Sequence, residues 1–208
     1  MNTLANTVMA ASGPRNACRG PTLYPFLVKH PLIELTLELN DRRVDAAAEG
    51  YDAVVRHGPL EDTRLTVWRL AVSQRVLVAS PDYLARHGTP SSLADLRRHR
   101  AIHYTNRGGA DWRFRILDGI GVTRGLPGLR VNNGDMMCDA AMAGVGIALL
   151  PSFIIGAAVR AGALAVIEIG ATAEAEFIYM AHPESRHPSA KLRAVAECLR
   201  EALTASPD

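Results

Sequence analysis

Residues 140–159 read Ala-Ala-Met-Ala-Gly-Val-Gly-Ile-Ala-Leu-Leu-Pro-Ser-Phe-Ile-Ile-Gly-Ala-Ala-Val, twenty positions without a charge. That length matches a membrane-spanning helix. The run is broken, however, by Gly144, Gly146, Pro151 and Ser152. It reads as the end of one helix, a short strand Ile147–Leu150 and the start of a second helix. A buried strand between helices accounts for the apolarity without lipid, and it marks an α/β layer.

Working outward, the same alternation of helix and strand recurs. Upstream, Asn132 or Asn133 caps a helix running to Gly144, preceded by a strand Leu129–Val131. Ala101–Tyr104 and Trp112–Leu117 read as strands around an Asn106–Gly109 turn. Ser91 or Ser92 caps a short helix with Asp95 in its first turn, and Arg97, Arg98 and His99 close it, where cations suit the helix dipole. Ser80-Pro81 opens a helix that Gly88 ends, and Leu65–Leu70 and Arg75–Ala79 are strands. Near the N-terminus, helix 22–29 leads to the alternating strand Glu34–Leu39. Asn40-Asp41 caps helix Arg42–Glu49, and strand Asp52–Arg56 stops at Gly58-Pro59. Downstream come strands Leu164–Ile169 and Phe177–Met180. A last helix from Ser189 places Leu192, Val195, Ala196, Leu199, Ala202 and Leu203 on one face. Helix, strand, helix, strand at short spacing indicates parallel α/β layering. It divides into two interleaved lobes with boundaries near residues 73–80 and 170–177.

The 208 residues, 48% hydrophobic with a net charge of +2, suffice for one medium domain or two small lobes and exclude a mainly disordered chain. Of the basic residues, 21 are Arg and only Lys29 and Lys191 are Lys. Cys18, Cys138 and Cys198 form no CxxC or Cys/His spacing, so neither a disulfide framework nor a zinc site is indicated and no cofactor is expected. A reducing, cytoplasmic compartment fits that cysteine usage. The first residues lack the charged and apolar regions of a signal peptide.

Gly144-Val145-Gly146 is not a dinucleotide fingerprint. Its glycines end a helix and precede a strand, whereas phosphate recognition needs the reverse order. No G-x-S-x-G, P-loop or H-E-x-x-H is present, and the seven histidines have no partner at ligand spacing, which disfavours an enzyme. What remains is a set of strand ends and helix starts, where ligands of open α/β sheets meet free helix N–H groups. These are Ser12, Asn40, Asp41, Arg56, His57, His103, Tyr104, Thr105, Asn106, Asn132, Asn133, Gly134 and Asp135. Asp41, Asn132 and Asn133 read equally as plain helix caps, Arg56 as a surface residue, and His57 and His103 as ordinary polar positions.

Taken together, several segments resemble the effector-binding domain of LysR-type transcriptional regulators. They are Phe26–Leu37, Val44–Leu60, Val78–Pro90, and Val131-Asn-Asn-Gly-Asp followed by Ala143-Gly-Val-Gly-Ile-Ala-Leu-Leu-Pro. The resemblance runs from about Tyr24 to Leu203. It implies two Rossmann-like lobes of the periplasmic-binding-protein type II fold, joined by two crossover strands. Lobe I would be residues 1–75 with 177–208, and lobe II residues 76–176. A small-molecule effector, in the simplest case an organic acid, would lie in the cleft between lobes near residues 9–12, 40–41, 103–106 and 132–135. Where the family often has Ser-Ala-Pro, this chain reads Met9-Ala10-Ala11-Ser12. The resemblance also implies a homodimer without membrane contact. Nothing in the sequence resembles the family's winged helix-turn-helix, and Arg97-Arg98-His99-Arg100 reads as a helix end. DNA contact is thus expected only through a segment absent from this chain. Two other functions remain open: a stand-alone interaction protein that modulates a full-length regulator, and a solute-binding protein.

Overall fold

The computed structural model describes residues 6–10, 20–39, 48–58, 65–110, 112–183 and 189–205. The chain begins with β1 (Asn6–Ala10), α1 (Gly20–Lys29), β2 (Leu35–Leu39), β3 (Ala53–His57), β4 (Leu65–Ser73) and β5 (Arg75–Ala79). It continues with α2 (Pro81–His87), α3 (Leu93–Leu96), β6 (Arg100–Tyr104), a 3-10 helix (Thr105–Ala110), β7 (Arg113–Ile116) and β8 (Gly119–Val122). Then come β9 (Leu126–Val131), α4 (Gly134–Met142), β10 (Ile147–Pro151) and α5 (Ser152–Arg160). The last elements are β11 (Ala165–Val166), β12 (Thr172–Ala173), β13 (Glu176–Pro183) and α6 (Ala190–Ala205). Two compact units divide the chain, residues 1–73 with 176–208 and residues 74–175.

The first unit holds one sheet in the order β2-β1-β3-β13-β4. β2, β1 and β3 are parallel, and β13 runs antiparallel between β3 and β4. α6 buries Leu192, Val195, Ala196 and Leu199, the stripe its spacing predicts, and lies against β4 and α1. A second cluster joins Tyr51, Val54, Tyr179 and Ala181, with Leu65 and Val67 against it.

In the second unit the sheet order is β11-β5-β10-β6-β9, with a separate three-stranded sheet β12-β7-β8. β10 is buried along its whole length, as its uncharged sequence demands. It pairs antiparallel with β5 and parallel with β6. Alternation sends Ile147, Leu149, Leu77 and Ala101 to one cluster with Tyr83, Leu96, Trp112 and Phe114. Ala148, Leu150, Val78 and Ile102 go to the other, against Met137, Cys138, Ala141 and Ile155 of α4 and α5. Full burial of one such large side chain contributes about 1.5–3 kcal/mol, so this doubly covered sheet is the main apolar store of the unit. Among the described residues no helix is long and apolar enough to cross a membrane.

Local geometry resolves the points the sequence left open. The cap of α4 is Asn133, whose Oδ1 accepts the Met136 N–H at 2.9 Å. The cap of α3 is Ser92, and Asp95 accepts in return from Ser92 Oγ at 2.8 Å and from the Ser91 N–H at 3.2 Å. Gly144 has φ +74 and ends α4. At Gly146 an added Cβ would lie 2.4 Å from the Arg100 carbonyl oxygen, so glycine is needed for the close approach of the two chains. Other expectations change. The expected strand Trp112–Leu117 is β7, but it is one arm of a hairpin whose second strand, β8, is hidden by the weak strand formers Gly119 and Gly121. Residues 106–109 belong to a 3-10 helix rather than a plain turn. The expected strand Leu164–Ile169 shortens to β11, because Ile167 and Ile169 turn into the core after it.

One buried polar pair ties three elements of the second unit together. The Tyr83 hydroxyl, on α2, accepts the Arg100 N–H at 2.9 Å and lies 3.3 Å from His99 Nδ1. The His99 carbonyl takes the Leu126 N–H at 2.7 Å, which fixes the start of β9. Burial, with the neighbouring His87 and Arg98 cations, lowers the His99 pKa, while Asp95 opposes the shift. An imidazole held below its ordinary value of about 6.5 protonates later in the folded than in the unfolded chain. Its contribution is therefore complete above that pH and is lost as pH falls towards the folded value. Melting temperature should fall between about pH 7 and about pH 5, and His99→Gln should flatten that part of the profile. An equally steep decline in the variant would assign the acid sensitivity elsewhere.

Candidate functional site

Parallel strands align their carboxyl ends, and both units do so. In the first, Ala10 of β1 is level with Leu39 of β2 and Val55 of β3. Ser12, Asn40 and Asp41 lie outside the described residues, but the strands that precede them in the chain end on this edge. β3 continues for two residues. Arg56, half-buried, stands opposite Tyr179, and His57 stands opposite Ile178. His57 Nε2 lies 3.2 Å from Glu176 Oε2, with both side chains largely buried. The adjoining Phe177 ring carries the Arg69 guanidinium 4.3 Å above its centroid and accepts the Gly58 N–H on its carbonyl at 3.1 Å. Ser73, register partner of Glu176, shares the edge, so the chain passes to the other unit here in both directions.

The corresponding edge of the second unit is built from β6, β9 and β10. Tyr104 is level with Val131 and His103 with Arg130. That pairing brings together two candidate groups distant in sequence, residues 103–106 and 132–135. The His103 ring lies 5.4 Å from that of Trp112, and Asn106 Nδ2 donates to the Tyr104 hydroxyl at 3.3 Å. Thr105 opens the 3-10 helix. Asn132 is exposed, Asn133 and Asp135 are half-buried, and Gly134 is buried where α4 begins. α5 starts on the same edge, directly after β10, and its Ser152 N–H donates to the Gln74 carbonyl at 2.9 Å. Arg75, opposite Pro151, donates from Nη2 to the Leu149 carbonyl at 3.2 Å.

This edge therefore offers a guanidinium, three side-chain amides, three hydroxyls and the first turns of two nine-residue helices. Such a set suits a small polar or anionic molecule held by charge and directed N–H groups. Nucleophilic thiol chemistry is not supplied. Burial first, then Asp139 and Asp135, pushes the Cys138 thiol up to about 11, and burial with Glu201 raises Cys198 as well. Thiols so shifted stay protonated near neutrality. Among the described residues no cluster of His, Cys, Asp and Glu could hold a metal.

Three residues on these edges escape a reading of the sequence. Glu176 and Arg75 reach them through antiparallel pairing across a long separation, which no local signal records. Ser152 carried a signal, since Pro151-Ser152 marks a helix start directly after a buried strand. Of the two asparagines, only Asn133 binds the helix. Asn133→Ala should cost about 1 kcal/mol in urea unfolding, and the exposed Asn132→Ala should stay within about 0.5 kcal/mol. Equal losses would remove the capping role from Asn133.

A family model described as the LysR substrate binding domain matches residues 9–204. An uncharacterised HTH-type transcriptional regulator of Haemophilus influenzae is 31% identical over 186 residues, covering 85% of this chain and 62% of that protein. The uncharacterised HTH-type regulator YhjC of Escherichia coli is 33% identical over 175 residues, covering 83% of this chain and 58% of that protein. The chain thus spans about three fifths of the length of these relatives. Among solved structures, the regulatory domain of CrgA, a LysR-type transcriptional regulator from Neisseria meningitidis, superposes with a TM-score of 0.82 at 23% identity. That match covers 96% of this chain and 98% of the other.

Proposed function

Since the chain belongs to the LysR substrate-binding domain family, with the type II periplasmic-binding fold of that family's regulatory domains, we propose that it is the effector-sensing part of a bacterial transcriptional regulator. The observation that carries this function is the convergence of residues 103–106 and 132–135 on one edge of the second unit, beside two helix N-termini. The effector is a small molecule, in the simplest case an organic acid. Its contacts come from His103, Tyr104, Thr105, Asn106 and Asn132 to Asp135 in the second unit. Arg56, His57, Ser12, Asn40 and Asp41 supply them in the first.

Sensing needs no chemistry on the ligand, and the chain acts by binding rather than as an enzyme. It needs only that the ligand favour one arrangement of the protein over another, because differential affinity shifts the population. A cytoplasmic homodimer is the form in which that shift is transmitted. Reading of operator sequence belongs to a winged helix-turn-helix, as expected of a regulator whose relatives are HTH-type proteins.

A thermal-shift screen of the purified chain against organic acids and common metabolites tests this function. A ligand present at about a hundred times its Kd adds about 2.7 kcal/mol. At about 2–4 °C per kcal/mol that is a rise of about 5–10 °C. Arg56→Ala and Asn106→Ala should each reduce the rise while leaving the unliganded melting temperature within about 2 °C. A folded sample that responds to no compound class, or variants that respond in full, would overturn the sensor assignment or the site.

A further inference from the structure

The edge of the second unit's sheet opposite the candidate site has a different character. Four segments meet there: residues 80–88 after β5, residues 97–100 before β6, residues 124–126 before β9 and residues 143–146 before β10. Direct contacts join them. Leu126 bonds the His99 carbonyl, Gly146 packs on the Arg100 carbonyl, and Gly144 lies against the Arg86 guanidinium and Ser80. Their side chains include Arg86, Arg97, Arg98, Arg100 and Arg124, all exposed, with His87 beside them.

Among the described residues, few acidic groups stand near Arg86, Arg97, Arg98 and Arg100. The acidic residues of the same elements are Asp82 and Asp95, with Asp139 one turn back on α4. Asp95 pairs with Arg98 at 2.7 Å, yet the Arg98 side chain remains 79% exposed. Arg86 donates from Nε to the Asp82 carbonyl, which leaves its charge unpaired. Arg97 and Arg100 form no side-chain hydrogen bond or ion pair with any described residue. A helix terminus accounts for Arg97 and Arg98 through the dipole. It does not account for Arg100, which opens β6, or for Arg86 and Arg124, which arrive from two other segments.

We propose that this edge is a phosphodiester-binding face, on which Arg86, Arg97, Arg98, Arg100 and Arg124 engage the backbone of duplex DNA without reading its sequence. The cations come from separate segments and do not enclose a single point. That distribution suits a polymer with repeating charges better than one small anion. Guanidinium forks match phosphate oxygens two at a time. The Tyr83–His99 pair fixes the backbone at Arg100, through its N–H, and two residues after Arg124, through the Leu126 N–H. The choice of DNA over an acidic protein rests on the proposed place of the chain in a transcriptional regulator. Such a face would add sequence-independent affinity to whatever the winged helix-turn-helix contributes.

The test is fluorescence anisotropy of the purified chain with a labelled random-sequence duplex of about 20 base pairs, over a salt series from about 25 to about 200 mM. Binding should weaken linearly in log Kd against log salt. Arg97→Ala/Arg100→Ala should lower that slope by about 2, one for each phosphate contact removed. Arg193→Ala, on α6 of the other unit, should leave it unchanged. Absence of binding at the lowest salt, or the same slope in the double variant, would overturn the proposal. Displacement of the chain by polyglutamate at lower charge concentration than by unlabelled DNA would overturn it in favour of an acidic protein partner. The effector response is read separately by melting, so either function can fail without the other.

Discussion

Five residues without a charge and without an exposed side chain, β10, set the constraint on which the second unit is built. A buried strand has to pair both of its edges, because unsatisfied backbone groups inside a protein cost about as much as lost hydrogen bonds. It also has to cover both of its faces. β10 meets the first demand with β5 and β6, and the second by sending alternate side chains into two clusters. The parallel pairing with β6 then has a geometric consequence. Parallel neighbours require a crossover, and crossover helices begin at the carboxyl ends of strands. α4 and α5 accordingly start on one edge, with Asn133 and Ser152 at their first turns.

The two edges of that sheet thereby acquire opposite chemistry. At the carboxyl edge, the first turns of α4 and α5 stand beside Tyr104, Asn106, Asn133 and Arg75, whose side chains make hydrogen bonds of 2.9 to 3.3 Å. At the amino edge, Gly144 and Gly146 let the chain pass close to its neighbours, and arginines stand outward. In the first unit the carboxyl edge is also where the chain passes to the second unit. There the His57–Glu176 pair and the Arg69–Phe177 stack brace β13 against β3 and β4. The strand ends of the first unit and the passages of the chain between units therefore share the same stretches.

Much of this architecture was legible locally. The apolar stripe of α6 and the alternation of β2 each follow from a period that side-chain direction imposes on helix or strand, and the broken run around Pro151 follows from chain breakers. Capping was legible to within one residue, since Asn132 and Asn133, or Ser91 and Ser92, differ only in backbone angles that neighbours set. Strand β8 was not, because glycine at 119 and 121 removes the strand signal. At Gly121 the reason is contact, since a Cβ would meet Leu93 at 2.8 Å. Arg97–Arg100 read as a helix end, and Arg97 does cap α3, but Arg100 already belongs to β6. That Arg86 and Arg124 join it depends on Gly144 meeting the Arg86 side chain and on Leu126 bonding His99.

By itself, then, the sequence determined most of the helices and strands, that one strand is buried on both faces, and which residues follow several strand ends. Those are properties of hydrophobic period, capping residues and chain breakers, all read within a few positions. Tertiary structure alone decided which strand ends are neighbours. It placed residues 103–106 beside residues 132–135, Glu176 against His57, and five arginines on one edge. Strand order and direction are set by packing of whole faces, an interaction between residues far apart in the chain, and no local pattern encodes them.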